Sequence, residues 1–281
     1  MVSSKKMTKS LIAGLLGLFV SGNVLSADIA HTLRNNSEEK ASTGNYFELG
    51  LGVAAGVGPS LTEDNSGWAA AYVVINGSYN WNGLFIEKYG ESGDPILLGY
   101  NAYESDNWSL DIVMGPKFGG LHSDKNDGKF DLLDERNSST MFGGRLTGYL
   151  GDNVVQFSLK HDISGNSHGT SASALLGRNW QVRNWNFHGL VGLQFFDSRI
   201  NDYYVGISED EALRSQFTEY NPGSNINFTA EIGVTYPVSE NWVFRSTARF
   251  RTLSDADMDS PIFETTRSTA MSLGTSLTYV F

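Results

Sequence analysis

The sequence has 281 residues, no cysteine and a formal net charge of −11. An acidic excess of this size repels phosphate, so nucleic acid is excluded as a partner class. The absence of cysteine excludes disulfides and a lipid-anchored lipoprotein. No apolar run after residue 20 approaches the roughly 20 residues that a transmembrane helix needs. The chain is therefore not a helical membrane protein.

The N-terminus has the order of a secretory signal peptide. Three lysines precede the apolar run 11–20, and small residues follow, up to Ser26 and Ala27. The run is too short to span a bilayer as a helix, so it indicates a cleaved export signal, predicted at 1–27. The polar stretch 28–43 lacks periodicity and is predicted to be a flexible arm.

The last strand, 268–281, shows the repeat of two that is typical of β-structure. One set of alternate positions is mostly large and apolar: Met271, Leu273, Thr275, Leu277, Tyr279 and Phe281. The other set is small and mostly polar: Ala270, Ser272, Gly274, Ser276, Thr278 and Val280. A strand of this kind that ends on an aromatic residue favours an outer-membrane barrel over a soluble sandwich.

The same alternation recurs along 44–281, in about twelve segments. Four gaps between these segments are long: 57–67, 119–138, 197–224 and 253–267. The gaps that alternate with the long ones are tight turns such as 81–83, 105–107, 151–153 and 183–184. Segment 169–181 is the weakest, because small residues occupy both of its faces. We predict an all-β fold for 44–281: a transmembrane antiparallel up-and-down β-barrel of about 12 strands in the cell outer membrane, with short periplasmic turns and long extracellular loops.

Aromatic residues cluster beside the tight turns. Asn-Trp pairs end three of the turns, and a fourth turn begins with Trp. Trp suits a membrane–water interface, where its ring is half buried and its N–H stays hydrated. The predicted interface aromatics are Trp81, Trp108, Trp185, Trp242, Tyr279 and Phe281.

Charged residues fall on the face of the strands that is predicted to line the lumen. They are Glu48, Glu87, Asp111, Arg145, Glu231, Arg245, Arg249 and Arg251. One interpretation is an internal salt-bridge network that fills the barrel. The other is a selectivity element for a pore. The structural interpretation is favoured, and both stay open at this point.

The segment 165–169 matches the G-x-S-x-G pattern of nucleophilic hydrolases, with Ser167 in the nucleophile position. That mechanism needs a strained turn from a strand into a helix, whereas a Gly/Ser/Asn-rich gap between two strands is predicted here. His161, Asp162 and His168 are the neighbouring groups that a rim hydrolase would use. A loop is the favoured interpretation, so no catalytic residue is assigned and the chain is predicted not to be an enzyme.

The segment 124–128 resembles the beginning of a calcium loop. Gly128 stands fifth, where an EF-hand requires an oxygen ligand, and glycine belongs in the sixth position. A solvated acidic loop is the favoured interpretation. No metal site and no cofactor is predicted.

Two motifs in the long gaps resemble those of a known family. The segment 202–212 is similar to a Y-Y-G-[VI]-S-x-x-E-A signature, and 259–262 is similar to a D-S-P-[IL] box before the last strand. The residues that carry the resemblance are Tyr203, Tyr204, Gly206, Glu211, Asp259, Ser260 and Pro261. The chain thus resembles the MipA/OmpV family of outer-membrane proteins. Within 208–216, Ser208 and Glu211 form the pattern of a capping box, which predicts a short helix in a loop that folds over the barrel mouth.

The resemblance implies an outer-membrane barrel, with lipid and lipopolysaccharide around it. The founding member of the family is described as a scaffold for murein hydrolase and synthase proteins, so the leading hypothesis is a non-enzymatic scaffold in cell-envelope maintenance. Other members are described as porin-like proteins or adhesins. The alternatives are therefore a small-solute channel or a surface adhesin, with a rim hydrolase as a remote alternative.

Overall fold

The computed structural model describes residues 45–58, 67–89, 94, 96–117, 119, 130–263 and 267–281. The predictions for the signal peptide at 1–27, the arm at 28–43 and the acidic loop at 124–128 lie outside these residues. In the described ranges, no helix combines the length and the apolar character needed to cross a membrane.

Within the described residues, twelve antiparallel strands form a closed barrel. Their bounds are β1 Tyr46–Val57, β2 Trp68–Trp81, β3 Leu84–Tyr89, β4 Ile96–Glu104, β5 Trp108–Lys117, β6 Ser139–Leu150, β7 Asn153–Asp162, β8 Thr170–Val182, β9 Trp185–Phe196, β10 Asn225–Pro237, β11 Trp242–Thr252 and β12 Thr269–Val280. Each strand pairs with its sequence neighbours, and β1 closes on β12 from Glu48↔Val280 to Val57↔Met271. The predicted strand count and up-and-down order are confirmed, including the weakest segment, which forms β8.

Burial along β12 explains why these sequences form a barrel wall. Leu273 points outward with 57% of its surface exposed, whereas Ser276 and Thr278 point into the lumen with 3% and 0% exposed. A continuous band of exposed apolar side chains is unfavourable in water and matches the hydrocarbon region of a bilayer. The period-two pattern is therefore satisfied by lipid outside and by polar packing inside.

The connections differ between the two ends of the barrel. At the turn end, short turns join the strands, and Asn82 and Gly83 adopt φ values of 50° and 84° in the turn between β2 and β3. Asn-Gly accepts these left-handed conformations at low cost, which suits a two-residue hairpin. The described parts of the long connections lie at the opposite, loop end.

Among the described residues, three short helices lie in the long connections: α1 Ser198–Val205, α2 Glu209–Arg214 and α3 Asp255–Met258. The helix predicted within 208–216 is confirmed as α2, and its capping box is present. α1 and α3 were not predicted. α1 is rich in residues of low helix propensity, and contacts distant in sequence hold it: the Asn201 amide donates to the Gly223 carbonyl at 2.6 Å.

Candidate functional site: the capped lumen

Three segments at the loop end fold together into a cap, which we define as residues 130–138, 198–223 and 253–263. Its apolar core consists of residues that are almost completely buried: Phe130, Leu133, Ile207, Phe217 and Ile262. The rings of Phe130 and Phe217 stack with their centroids 5.7 Å apart. The three cap segments therefore form a packed unit with its own small core.

A buried ion pair crosses this cap. Arg136 Nη2 lies 2.7 Å from Glu211 Oε1 and also donates to the Gly206 carbonyl at 3.2 Å. The same carboxylate accepts from the Asp134 backbone N–H at 2.8 Å and from the Ser208 hydroxyl at 3.0 Å. Burial raises the pKa of Glu211, but these donors outweigh burial and hold it below its ordinary value. Two positions of the first signature, Gly206 and Glu211, thus meet at one arginine.

The second signature closes the cap from the other side. Ser260 is buried, and its hydroxyl donates to the Val205 carbonyl at 2.6 Å, which joins the two signatures. Pro261 lies in a turn, closed by the bond from the Phe263 N–H to the Ser260 carbonyl at 3.1 Å. Asp259 is exposed and ends α3, so it takes no part in the buried contacts.

Tyr203 and Tyr204 attach the cap to the barrel wall. The Tyr203 hydroxyl accepts from the Asn137 N–H at 2.7 Å, and the Tyr204 hydroxyl accepts from the Ser139 N–H, at the start of β6, at 3.0 Å. Burial raises the pKa of Tyr204. The Lys117 ammonium lies 4.7 Å from the centre of the Tyr204 ring, inside the mouth of the barrel.

Below the cap, inward charges pair between nearby strands of the barrel wall. Arg245 Nη1 on β11 lies 2.8 Å from Glu48 Oε2 on β1. The Asn76 amide donates to the same carboxylate at 2.6 Å, and the Thr278 hydroxyl donates to it at 3.2 Å. This carboxylate therefore joins four strands, and its burial is compensated by several donors.

A second cluster links β3, β5 and β6. Arg145 lies 3.0 Å from Glu87 Oε2 and 2.9 Å from Asp111 Oδ2, and its guanidinium lies 5.3 Å from the centre of the Phe85 ring. The contact with Glu87 spans three strands of the barrel wall. This bridge therefore ties neighbouring strands together on the inner face of the wall.

A third cluster lies on β9, β10 and β11. His188 Nε2 lies 2.9 Å from Glu231 Oε1, and Arg249 Nε donates to Glu231 Oε2 at 2.7 Å. Arg251 is the least tightly paired of the eight lumen charges, with Nη2 3.9 Å from Asp257. The structure thus places all eight predicted charges at inward positions, in three separate clusters and one loose pair.

Sequence reasoning missed several residues of this site. Lys160, which bonds Asp94 Oδ2 at 2.6 Å, and Lys117 have the period-two parity of the lumen face, so that signal was available. Arg136 lies in a long connection without periodicity, and no local pattern marks it. An apolar cluster of Val154, Leu175 and Leu190 also fills part of the lumen.

The hydrogen bonds of Ser167 are those of a turn residue. Its hydroxyl and its backbone N–H both donate to Asp162 Oδ2, at 3.0 and 2.6 Å, and the His168 N–H donates to the same oxygen at 3.0 Å. His168 has a φ of 51°. The His161 ring bonds Thr170 instead of Ser167, at 3.0 Å. In the described part of the chain, no group of three or more acidic or histidine side chains has the arrangement to hold a metal ion.

All six predicted interface aromatics lie at the turn end of the strands. Trp242, Tyr279 and Phe281 form a continuous ring cluster, with centroid separations of 5.4 and 4.9 Å, and Phe47 joins it at 5.6 Å. The remaining three lie apart from this cluster: Trp81, Trp108 and Trp185. Trp180, at the end of β8, was missed although it follows the same rule.

Comparison with known proteins identifies relatives of this chain. The chain is 29% identical over 241 residues to the MltA-interacting protein of Escherichia coli K12, covering 84% of this chain and 90% of that one. It is 26% identical to the putative outer membrane protein YiaT of the same strain, covering 70% and 83%. The NanC porin structure is 11% identical, with a TM-score of 0.46 over 82% of this chain and 98% of that one. The family model described as MltA-interacting protein MipA matches residues 51–281. The chain belongs to the MipA family and is an outer-membrane β-barrel protein.

Proposed function

We propose that this protein is a non-enzymatic scaffold in murein maintenance, which reaches the outer membrane through the signal peptide at 1–27. The observation that carries the proposal is the set of buried, paired charges in the lumen beneath a packed cap. If the interior holds no solute path, the function of the protein lies on its surfaces.

The accessibility of inward side chains supports this reasoning. His188 exposes 1% of its surface, Glu231 2% and Gln156 4%, although all three face the lumen. Inward residues of a water-filled channel would be accessible to solvent along their whole height. Around these three residues, bonds between side chains replace that water.

The relatives supply the class of partner. A protein named MltA-interacting protein aligns with 84% of this chain, and its name states an interaction with MltA. Murein lies on the periplasmic side of an outer membrane, so the docking surface is proposed at the turn end, together with the arm at 28–43. The cap, at the opposite end, would then shield the mouth of the barrel.

The test uses the purified, folded protein immobilised in detergent. We expect it to retain a purified lytic transglycosylase of the MltA type, and the heat-unfolded protein to retain none. If the folded protein also retains none, while a known scaffold tested in parallel does, the proposal is wrong.

Matched variants then locate the surface. Val238 lies in the last short turn and Leu213 on the cap, and both are exposed apolar residues. Val238→Asp is expected to weaken retention, whereas Leu213→Asp is expected to leave it unchanged. The reverse result would move the docking surface to the loop end.

A small-solute channel is the second candidate. It is favoured by the partly accessible lumen wall near β1, where Ala54, Tyr72 and Gly274 are not fully buried. A pocket at this part of the wall is lined by Gly56, Arg249 and Ser272 among others. Planar-bilayer recordings decide between the two functions. The scaffold proposal expects no steady conductance from folded protein. A steady conductance whose ion selectivity changes with Arg251→Gln would establish the channel.

A further inference from the structure

A small cavity lies inside the barrel wall near the loop end. Its volume is about 20 Å³, and residues of β5 to β9 and Asp94 line it. A volume of this size holds one water molecule or one monatomic ion. The lining that matters for its contents is Lys117, Lys160, Ser171 and Gln194.

Three of these lining groups have donors without acceptors. In the described part of the chain, the Lys117 ammonium makes no hydrogen bond or ion pair and contacts only the rings of Phe196 and Tyr204, at 4.6 and 4.7 Å. The Ser171 hydroxyl and the Gln194 amide also make no side-chain hydrogen bond there, although both residues are buried. Ser171 and Gln194 are buried and Lys117 is half-buried, so a molecule or ion that accepts hydrogen bonds would give all three donors a partner.

The net charge of the lining residues favours one of the two species that fit, a water molecule or a monatomic ion. Lys160 is paired with Asp94, with Nζ 2.7 and 2.6 Å from the two carboxylate oxygens. Lys117 adds a second cation, so two ammonium groups face one carboxylate and the lining carries one positive charge in excess. A neutral water molecule leaves that charge uncompensated, whereas a monovalent anion cancels it.

We propose that this cavity binds a monatomic anion, chloride under ordinary salt conditions. Lys117 supplies the charge, and Ser171 and Gln194 donate hydrogen bonds to the ion. Because the Tyr204 ring covers the same ammonium, the anion also completes the contact between cap and barrel wall. The site is independent of the scaffold proposal, since it lies inside the barrel.

The decisive experiment locates a heavy analogue of the ion in the unmodified protein. Crystals of the full mature barrel are grown in sodium bromide, and anomalous scattering is recorded at the bromine edge. The proposal expects a bromide peak in contact with Lys117, Ser171 and Gln194. An ordered water alone at this position, in crystals that contain bromide elsewhere, would overturn it.

Variants give a second readout in solution. Lys117→Met keeps an unbranched side chain against the two rings and removes the charge, and Lys88→Met is the matched control on β3. Broadening of the chloride NMR signal by the folded protein, titrated with bromide as competitor, measures affinity. We expect Lys117→Met to lower it by about tenfold or more and Lys88→Met to leave it unchanged. Equal affinity in both variants would contradict the site.

Should Lys117→Met not fold, Ser171→Val fills the cavity without removing a charge and serves in its place. It is expected to abolish the specific broadening, while heat-dependent gel mobility reports whether the barrel is folded. Specific broadening that persists in folded Ser171→Val protein would place the anion elsewhere and overturn the proposal.

Discussion

Glu211→Gln tests whether the cap depends on its buried ion pair. One oxygen of Glu211 accepts from Arg136 at 2.7 Å and from the Asp134 N–H at 2.8 Å, and the other accepts from the Ser208 N–H and hydroxyl at 2.9 and 3.0 Å. Glutamine keeps the shape but replaces one acceptor by an N–H₂ donor. It also leaves the Arg136 charge buried without its carboxylate.

Removing one partner of a buried ion pair costs about 3–5 kcal/mol. Each 1.4 kcal/mol is a factor of ten, so protection of cap amides from hydrogen exchange should fall by about 140- to 3700-fold. The barrel strands should keep their protection, because the pair lies entirely within the cap.

Hydrogen–deuterium exchange with mass spectrometry reads peptides of the cap and of the strands separately. Glu209→Gln is the control, since Glu209 lies on the same helix, carries the same charge and is exposed. Cap protection in Glu211→Gln equal to that in Glu209→Gln would refute the assignment of cap stability to the ion pair.

Three further predictions follow from the same contacts. Folding lowers the pKa of Glu211 from its ordinary value of 4.5. The stability that Glu211 gives to the cap is therefore complete above pH 4.5 and is lost as the pH falls through the lower folded pKa. The hydrogen-exchange rate of cap amides, corrected for the intrinsic rate, should be constant from about pH 5 upward and increase below 4.5. A Cβ at Gly143 would overlap the Leu159 carbonyl oxygen, whereas a Cβ at Gly144 has its nearest neighbour at 3.9 Å. Gly143→Ala should therefore reduce the amount of folded, heat-modifiable protein on a gel. An equal amount of folded protein from Gly143→Ala and Gly144→Ala would contradict this. Ser260→Ala leaves a buried carbonyl without its donor, so it should destabilise the cap by about 1–3 kcal/mol, read as faster proteolysis of the cap than in unmodified protein.

The strands and their inward charges were accessible to sequence reasoning because the signal is local. A period of two along β12 assigns each side chain to lipid or lumen before any pairing is known. Short turns between strands then fix their order, since consecutive antiparallel strands joined by tight turns lie side by side. Arg145 could therefore be assigned to the lumen from its own segment.

The partners of these charges could not be predicted from the same signal. Arg145 and Glu87 are three strands apart, and whether they meet depends on the register of every strand between them. The match to the family signatures marked Glu211 but gave no indication of Arg136, which comes from a connection without periodicity.

The sequence by itself determined a closed, up-and-down wall with a polar interior and a loop end that carries the family signatures. The tertiary structure decided that the signatures build a packed cap and that inward charges pair inside the lumen. It also decided that Lys117, which forms no ion pair within the described residues, lies beside a small cavity. The physical reason is range: alternation is a property of neighbouring residues, whereas a cap and a cavity are made by segments that meet only when the barrel has closed.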